Sequence, residues 1–189
     1  MEKITGFIII GCWLTFLLYW LISAQWTKVI AERQSASSAM AHRIPLGFGY
    51  VLMAVWNLPP PMNLSVTPHA DWAQAVGASI CVLGLFVTIW ARRTLAGNWS
   101  SDVTFKQGHE LVKTGPYQFV RHPIYTGLLV MCLGTALDVG KLRHWLALPL
   151  MALAFWIKLK QEERLMLQHF PDQYSAYQKQ VKALVPFLI

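Results

Sequence analysis

Charged residues are spaced along this chain so as to leave long apolar stretches between them. No Asp, Glu, Lys or Arg falls between Lys3 and Lys28, between Arg43 and Asp71, or between Asp71 and Arg92. Each interval accommodates the roughly 20 apolar residues that cross a bilayer as an α-helix. Two shorter uncharged runs follow, His122–Leu137 and His144–Ile157. The turn-forming Asp138-Val139-Gly140-Lys141 between them reads as the tip of a helical hairpin. The pattern predicts an all-α integral membrane protein of about five transmembrane helices. Three lie in residues 1–91, and residues 92–189 hold the hairpin and C-terminal amphipathic helices.

Composition agrees. The chain is 55% hydrophobic and 13% charged, where a soluble domain carries about a quarter charged residues. Disordered, collagenous and disulfide-stapled classes are excluded. The first apolar run, Ile4–Trp26, is too long for a signal-peptide core and is followed by no small-residue cleavage site. Cys12, Cys81 and Cys132 all lie in apolar segments without ligand-type spacing, so no metal site is expected from them. With five spans, thirteen of the 16 Lys and Arg fall on one side, which the positive-inside rule assigns to the cytoplasm. The net charge of +7 then suits anionic lipid and calls for no nucleic acid.

Most polar sequence lies in two stretches on that same side, Arg92–Arg121 and Lys158 onward, so chemistry is expected where they meet. In the first, Gly115-Pro116-Tyr117 marks a turn, and Pro123 suits the first turn of a following helix. Arg121 and His122 then stand at a helix mouth, either holding a carboxylate or phosphate or anchoring at lipid headgroups. In the second, Lys158 and Glu162 share one helix face, flanked by Glu163 and Arg164. A solvated, salt-bridged helix is the plain alternative.

These blocks, with Phe170-Pro171-Asp172-Gln173-Tyr174, resemble the signature of the isoprenylcysteine carboxyl methyltransferase family and its phospholipid-methyltransferase relatives. The resemblance spans about Leu95 to Phe187. It implies methyl transfer from S-adenosylmethionine (SAM) in a membrane-embedded pocket open to the cytosol, formed by the 94–123 segment and the C-terminal helix. It further implies that the nucleotide lies against His109, Glu110, Leu111, Val112 and Tyr117. His122, Pro123, Ile124 and Tyr125 would close around the methionine end, and Glu162 would also touch the cofactor. The residue types fit that use. A sulfonium favours an aromatic face such as Tyr125, an ammonium a carboxylate, and a carboxylate an imidazolium or guanidinium.

One position departs from the family. Where it carries an arginine thought to hold the substrate carboxylate, this chain has Lys158, which keeps the charge and loses the bidentate fork. The amphiphilic acceptor is thus left open among a prenylcysteine-like carboxylate, a lipid amine, a thiol and a phenol. His122, Tyr125, Glu162 and Lys158 are the candidate catalytic residues. Two readings compete: an NADPH-dependent sterol-type reductase, whose family shares an Arg-His-x-x-Tyr-x-Gly block but has Asn and Asp where this chain has Ile124 and Leu128, and a non-catalytic membrane scaffold.

Overall fold

A computed structural model describes residues 2–55, 58–67 and 70–187 of the chain. It is mostly helical: α1 (Glu2–Ser23), α2 (Ala36–Ala54), α3 (Asp71–Leu95), α4 (Pro123–Val139), α5 (Leu142–His169) and α6 (Pro171–Gln180). The expectation of an all-α chain needs one amendment. Strands β1 (Ile30–Arg33) and β2 (Thr104–Lys106) pair antiparallel beside the polar end of the bundle. Their connections leave backbone groups that no helix satisfies, and the ribbon pairs them.

Lys3–Trp26, Asp71–Asn98 and Leu142–His169 are long and apolar enough to cross a membrane, and α4 is a shorter apolar helix. The outward face of α1, with Ile4, Phe7, Leu14, Leu18 and Leu21 exposed, is an apolar stripe that suits hydrocarbon and not water. The chain is an integral membrane protein. The second expected span starts earlier than its charge-free interval. Ser35 caps α2, its hydroxyl accepting from the Ser38 amide, so His42 and Arg43 lie inside the helix, and α2 ends at Ala54 before the Pro59-Pro60-Pro61 turn. The expected hairpin is present. Gly140 takes the left-handed conformation (φ 68°) that closes α4, and Lys141, in extended conformation, precedes the first residue of α5.

Helix α3 packs most extensively on α4, and α2 on α5. A Cβ on Gly134 would meet Cys81 N and Gly77 O at 2.5 Å, and one on Gly84 would meet Gly127 O at 2.6 Å. The two backbones therefore touch along a small-residue seam, the usual means of helix association in lipid. Trp13 Nε1 donates to Thr135 Oγ1 at 3.0 Å, joining α1 to α4. Buried Arg92 donates to Ser23 O (2.6 Å) and Ala96 O (2.7 Å), so one guanidinium closes the ends of both α1 and α3.

The helices differ in reach. The 28 residues of α5 extend about 42 Å, beyond a hydrocarbon core of about 30 Å. The 17 residues of α4 reach about 25 Å. The start of α4 is therefore recessed beside the projecting last turns of α5, and a polar site forms in that step.

Candidate active site

A cavity of about 360 Å³ opens at this step, within the size range of small-molecule sites. His109, Glu110, Leu111, Val112, Tyr117, His122, Ile124, Tyr125, Lys158 and Glu162 all line it. Pro123 is buried and does not, serving as the first residue of α4. The walls are broader than the sequence suggested, since α1 and α2 contribute Phe16, Trp20, Leu46 and Tyr50.

At its centre three rings are layered. Tyr125 stacks on His122 (5.6 Å between centroids, 6° between planes) and on Phe155 (4.9 Å, 7°). The Tyr125 hydroxyl donates to Glu162 Oε1 at 2.6 Å, and Glu162 Oε2 lies 3.5 Å from His122 Nδ1. Lys158 Nζ donates to Ser101 O at 2.6 Å and stands 5.4 Å from the centroid of the Tyr125 ring. The plain alternative of a solvated helix fails here, because Lys158 and Glu163 are buried. Burial opposes a charge on His122, but the carboxylates of Glu162 and Glu163 outweigh it and hold the imidazole above the ordinary histidine value.

Arg121 corrects both sequence readings of the helix mouth. Its side chain is 9% exposed, so it anchors no headgroup, and its guanidinium is already engaged. Nε and Nη2 donate to Glu163 Oε1 at 2.8 and 2.6 Å, and Nη1 donates to Val181 O. The amides of Arg121 and His122 donate to Lys182 O and Ala183 O at 2.8 and 2.9 Å. Glu163 and the C-terminal segment thus take the Arg121 guanidinium and the two amides, while the His122 side chain still lines the cavity.

At the outer lip, Phe105 of β2 stacks between His109 (4.9 Å) and His169 (3.6 Å). Burial, then the charges of Lys28, His169 and Lys106, lower the pKa of His109 to about 4, so it is neutral at physiological pH. Among the described residues, His109 Nδ1, Asn98 Oδ1 and Thr104 Oγ1 are buried without a hydrogen-bond partner, and all three residues line the cavity. Sequence reading missed Asn98, Thr104, Trp99 and the α6 residues Tyr174 and Tyr177, which also face it. Of these, only Tyr174 stood in a signature block, residues 170–174, with no role at the site assigned to it.

The family model described as phospholipid methyltransferase matches residues 72–173, a segment that holds α3, α4, α5 and this cavity's polar core. The chain belongs to that family. Its relatives include the protein-S-isoprenylcysteine O-methyltransferases of Tribolium castaneum (32% identical, covering 62% of this chain and 43% of the relative) and Schizosaccharomyces pombe (33%, 61% and 50%). Among solved structures, a eukaryotic intramembrane Ras methyltransferase, an isoprenylcysteine carboxyl methyltransferase, is similar with 29% identity and a TM-score of 0.53. That match covers 80% of this chain and 50% of the other. The chain therefore spans about half the length of the relatives it matches.

Proposed function

We propose that this protein is a SAM-dependent membrane methyltransferase acting on an amphiphilic acceptor. The observation that carries the reading is the convergence of His122, Tyr125 and Glu162 on one cavity. Glu162 offers an anion to an ammonium, His122 a cation to a carboxylate, and Tyr125 an aromatic face to a sulfonium. That is the charge pattern of a methionine group.

The fit extends to the nucleotide end. His109 Nδ1, Asn98 Oδ1 and Thr104 Oγ1 have hydrogen-bonding capacity unspent on protein, which a purine and ribose would use. Along with His109, the stretch Glu110, Leu111, Val112 and Tyr117 would hold that end, and Ile124 would close against the methionine chain. When bound, SAM supplies a methyl group on a sulfonium. The protein's own work is alignment: the stacked rings of His122, Tyr125 and Phe155 fix one wall, and apolar Phe16, Leu46 and Leu128 keep water out. Such positioning supplies on the order of 7–11 kcal/mol.

The acceptor's tail would enter between the helices from lipid, with Lys158 at its reactive end. NADPH fits less well. Arg121, an arginine of the cavity wall that could meet its phosphates, is already engaged by Glu163 and Val181 O. Five helices, α1 to α5, would cross the bilayer with the cavity facing the cytoplasm, as the Lys and Arg distribution supports. Labelling of an exposed Gln107→Cys in a cysteine-free background from the opposite side would refute that orientation. The reading itself is tested by equilibrium binding of SAM and NADPH to purified protein in nanodiscs. SAM should bind and NADPH should not, and the reverse result would overturn it.

A further inference from the structure

Glu162 and Glu163 are neighbours on α5, and adjacent positions on a helix point about 100° apart. One side chain can meet both only by lying in the groove between them, and His122 does so. Its Nδ1 is 3.5 Å from Glu162 Oε2 and its Nε2 is 3.4 Å from Glu163 Oε1. Glu163 Oε1 is in turn fixed by Arg121 Nε and Nη2 at 2.8 and 2.6 Å. Arg121 Nη1 reaches across to Val181 O, and the His122 amide is held by Ala183 O at 2.9 Å. Neither side chain of the Arg121–Glu163 pair exceeds 9% exposure. A chain of contacts thus runs from the C-terminal segment through Arg121 and Glu163 to the imidazole edge remote from Glu162.

We propose that Glu163, fixed by Arg121 and the 178–184 segment, is a positioning residue that holds His122 as an imidazolium in the cavity wall, where its charge, and not an N–H, attracts the cofactor's carboxylate. The inference rests on the cofactor reading above and adds a residue that does not itself touch the cofactor. Both imidazole nitrogens face carboxylates, and both are donors in the cation. His122 then has no lone pair to offer as a general base. The other ionisable groups around the ring are Arg121 on its own turn, Tyr125 stacked on its face, Tyr174 of α6 beside the Arg121–Glu163 pair, and Lys160, 3.7 Å from Glu163 Oε2. Lys158 acts on Glu162 from the preceding turn of α5.

The test is SAM binding by the full chain in nanodiscs across pH 6 to 9, for wild type, Glu163→Gln and Glu163→Asp. Losing one of two carboxylates lowers the proton affinity of His122. In Glu163→Gln the alkaline loss of binding should therefore move down by about one pH unit, a tenfold change in proton affinity, while affinity at pH 6 stays close to wild type. Glu163→Asp keeps the charge and should restore the profile toward wild type. An unshifted profile in Glu163→Gln, or an equal loss at every pH, overturns the inference, since the second is the mark of a merely structural role. Should Glu163→Gln fail to fold with Arg121 unpaired, nitrogen NMR of wild-type His122, assigned by loss of the signal in His122→Asn, decides it. Both ring nitrogens should be protonated at pH 7.5, and a neutral imidazole there overturns it. This arm needs no cofactor. Wild-type protein that binds no SAM at any pH would instead refute the proposed function.

Discussion

Replacing Glu162 by Gln isolates the charge of that carboxylate from its shape. Glutamine is isosteric, and its amide oxygen can still accept the Tyr125 hydroxyl that Glu162 Oε1 receives at 2.6 Å. The stack of His122, Tyr125 and Phe155 should survive, and the melting temperature should stay near wild type. What disappears is the negative partner for an ammonium, together with one of the two carboxylates that hold the His122 imidazolium. A hydrogen bond to a charged group contributes about 1.5–3 kcal/mol, so SAM should bind about 10- to 150-fold more weakly. Titration calorimetry of SAM and of S-adenosylhomocysteine, at pH 6.5 and low salt, reads this directly. The second ligand keeps the amino group and lacks the sulfonium charge, so both should weaken by similar factors. Loss confined to SAM would place Glu162 beside the sulfur. An unchanged Kd for both ligands in folded protein would refute the assignment of Glu162 to the cofactor.

Three further outcomes are expected. Lys158→Arg should lower turnover of every acceptor, because Lys158 is seated between Ser101 O and the Tyr125 ring, a space matched to a compact ammonium; faster methylation of a prenylcysteine carboxylate by this variant in a radiolabel assay would show the seat to be built for a fork. Gly134→Leu should abolish folded protein on detergent size-exclusion chromatography, since even a Cβ there meets Cys81 N and Gly77 O at 2.5 Å, and a monodisperse, thermally stable variant would contradict the α3–α4 seam. His109, lowered to about 4 in the folded state against an ordinary 6.5, gives the unfolded chain the greater proton uptake between those values. Its contribution to stability is therefore complete above pH 6.5 and lost as pH falls toward 4, and an imidazole NMR titration with a midpoint near 6.5 would refute its burial.

The helices were legible because lipid imposes a coarse rule, uncharged length, that Lys3, Lys28, Asp71 and Arg92 punctuate clearly. It failed at α2, where the Ser35 cap fixes the start and carries Arg43 into the helix. The candidate site was legible as residue types and spacing, since the His109–Val112 run, Tyr117, His122, Tyr125, Lys158 and Glu162 do share one cavity. Partner choice was hidden. Arg121 read as a free cation at a helix mouth, and only folding reveals that Glu163 and Val181 O claim it. The shared partner of Glu162 and Glu163 was equally hidden, because a side chain lying between two adjacent helix positions can meet either or both. Asn98 and Thr104 lie on connections without periodicity, so nothing in sequence aimed them inward.

The unequal lengths of α4 and α5 explain why such a polar cluster is sustained here. A carboxylate placed at the hydrocarbon centre costs several kcal/mol however it is paired. At the recess where α4 begins, His122 and Arg121 lie below the last turns of α5, and Glu162 and Glu163 meet them across the step. Glu162 keeps a quarter of its side chain exposed, while Arg121, His122 and Glu163 are buried and offset their desolvation by pairing, and Phe155, Phe16 and Tyr125 line the cavity beside them. Had α4 been one turn longer, about 5.4 Å, His122 would be carried past Glu162 and Glu163 toward the end of α5 and its contacts with them would be lost. Had it been a turn shorter, His122 would fall short of both carboxylates by the same distance and lose them likewise. The 17-residue length of α4 is therefore part of the site, set by Pro123 at one end and the left-handed Gly140 at the other.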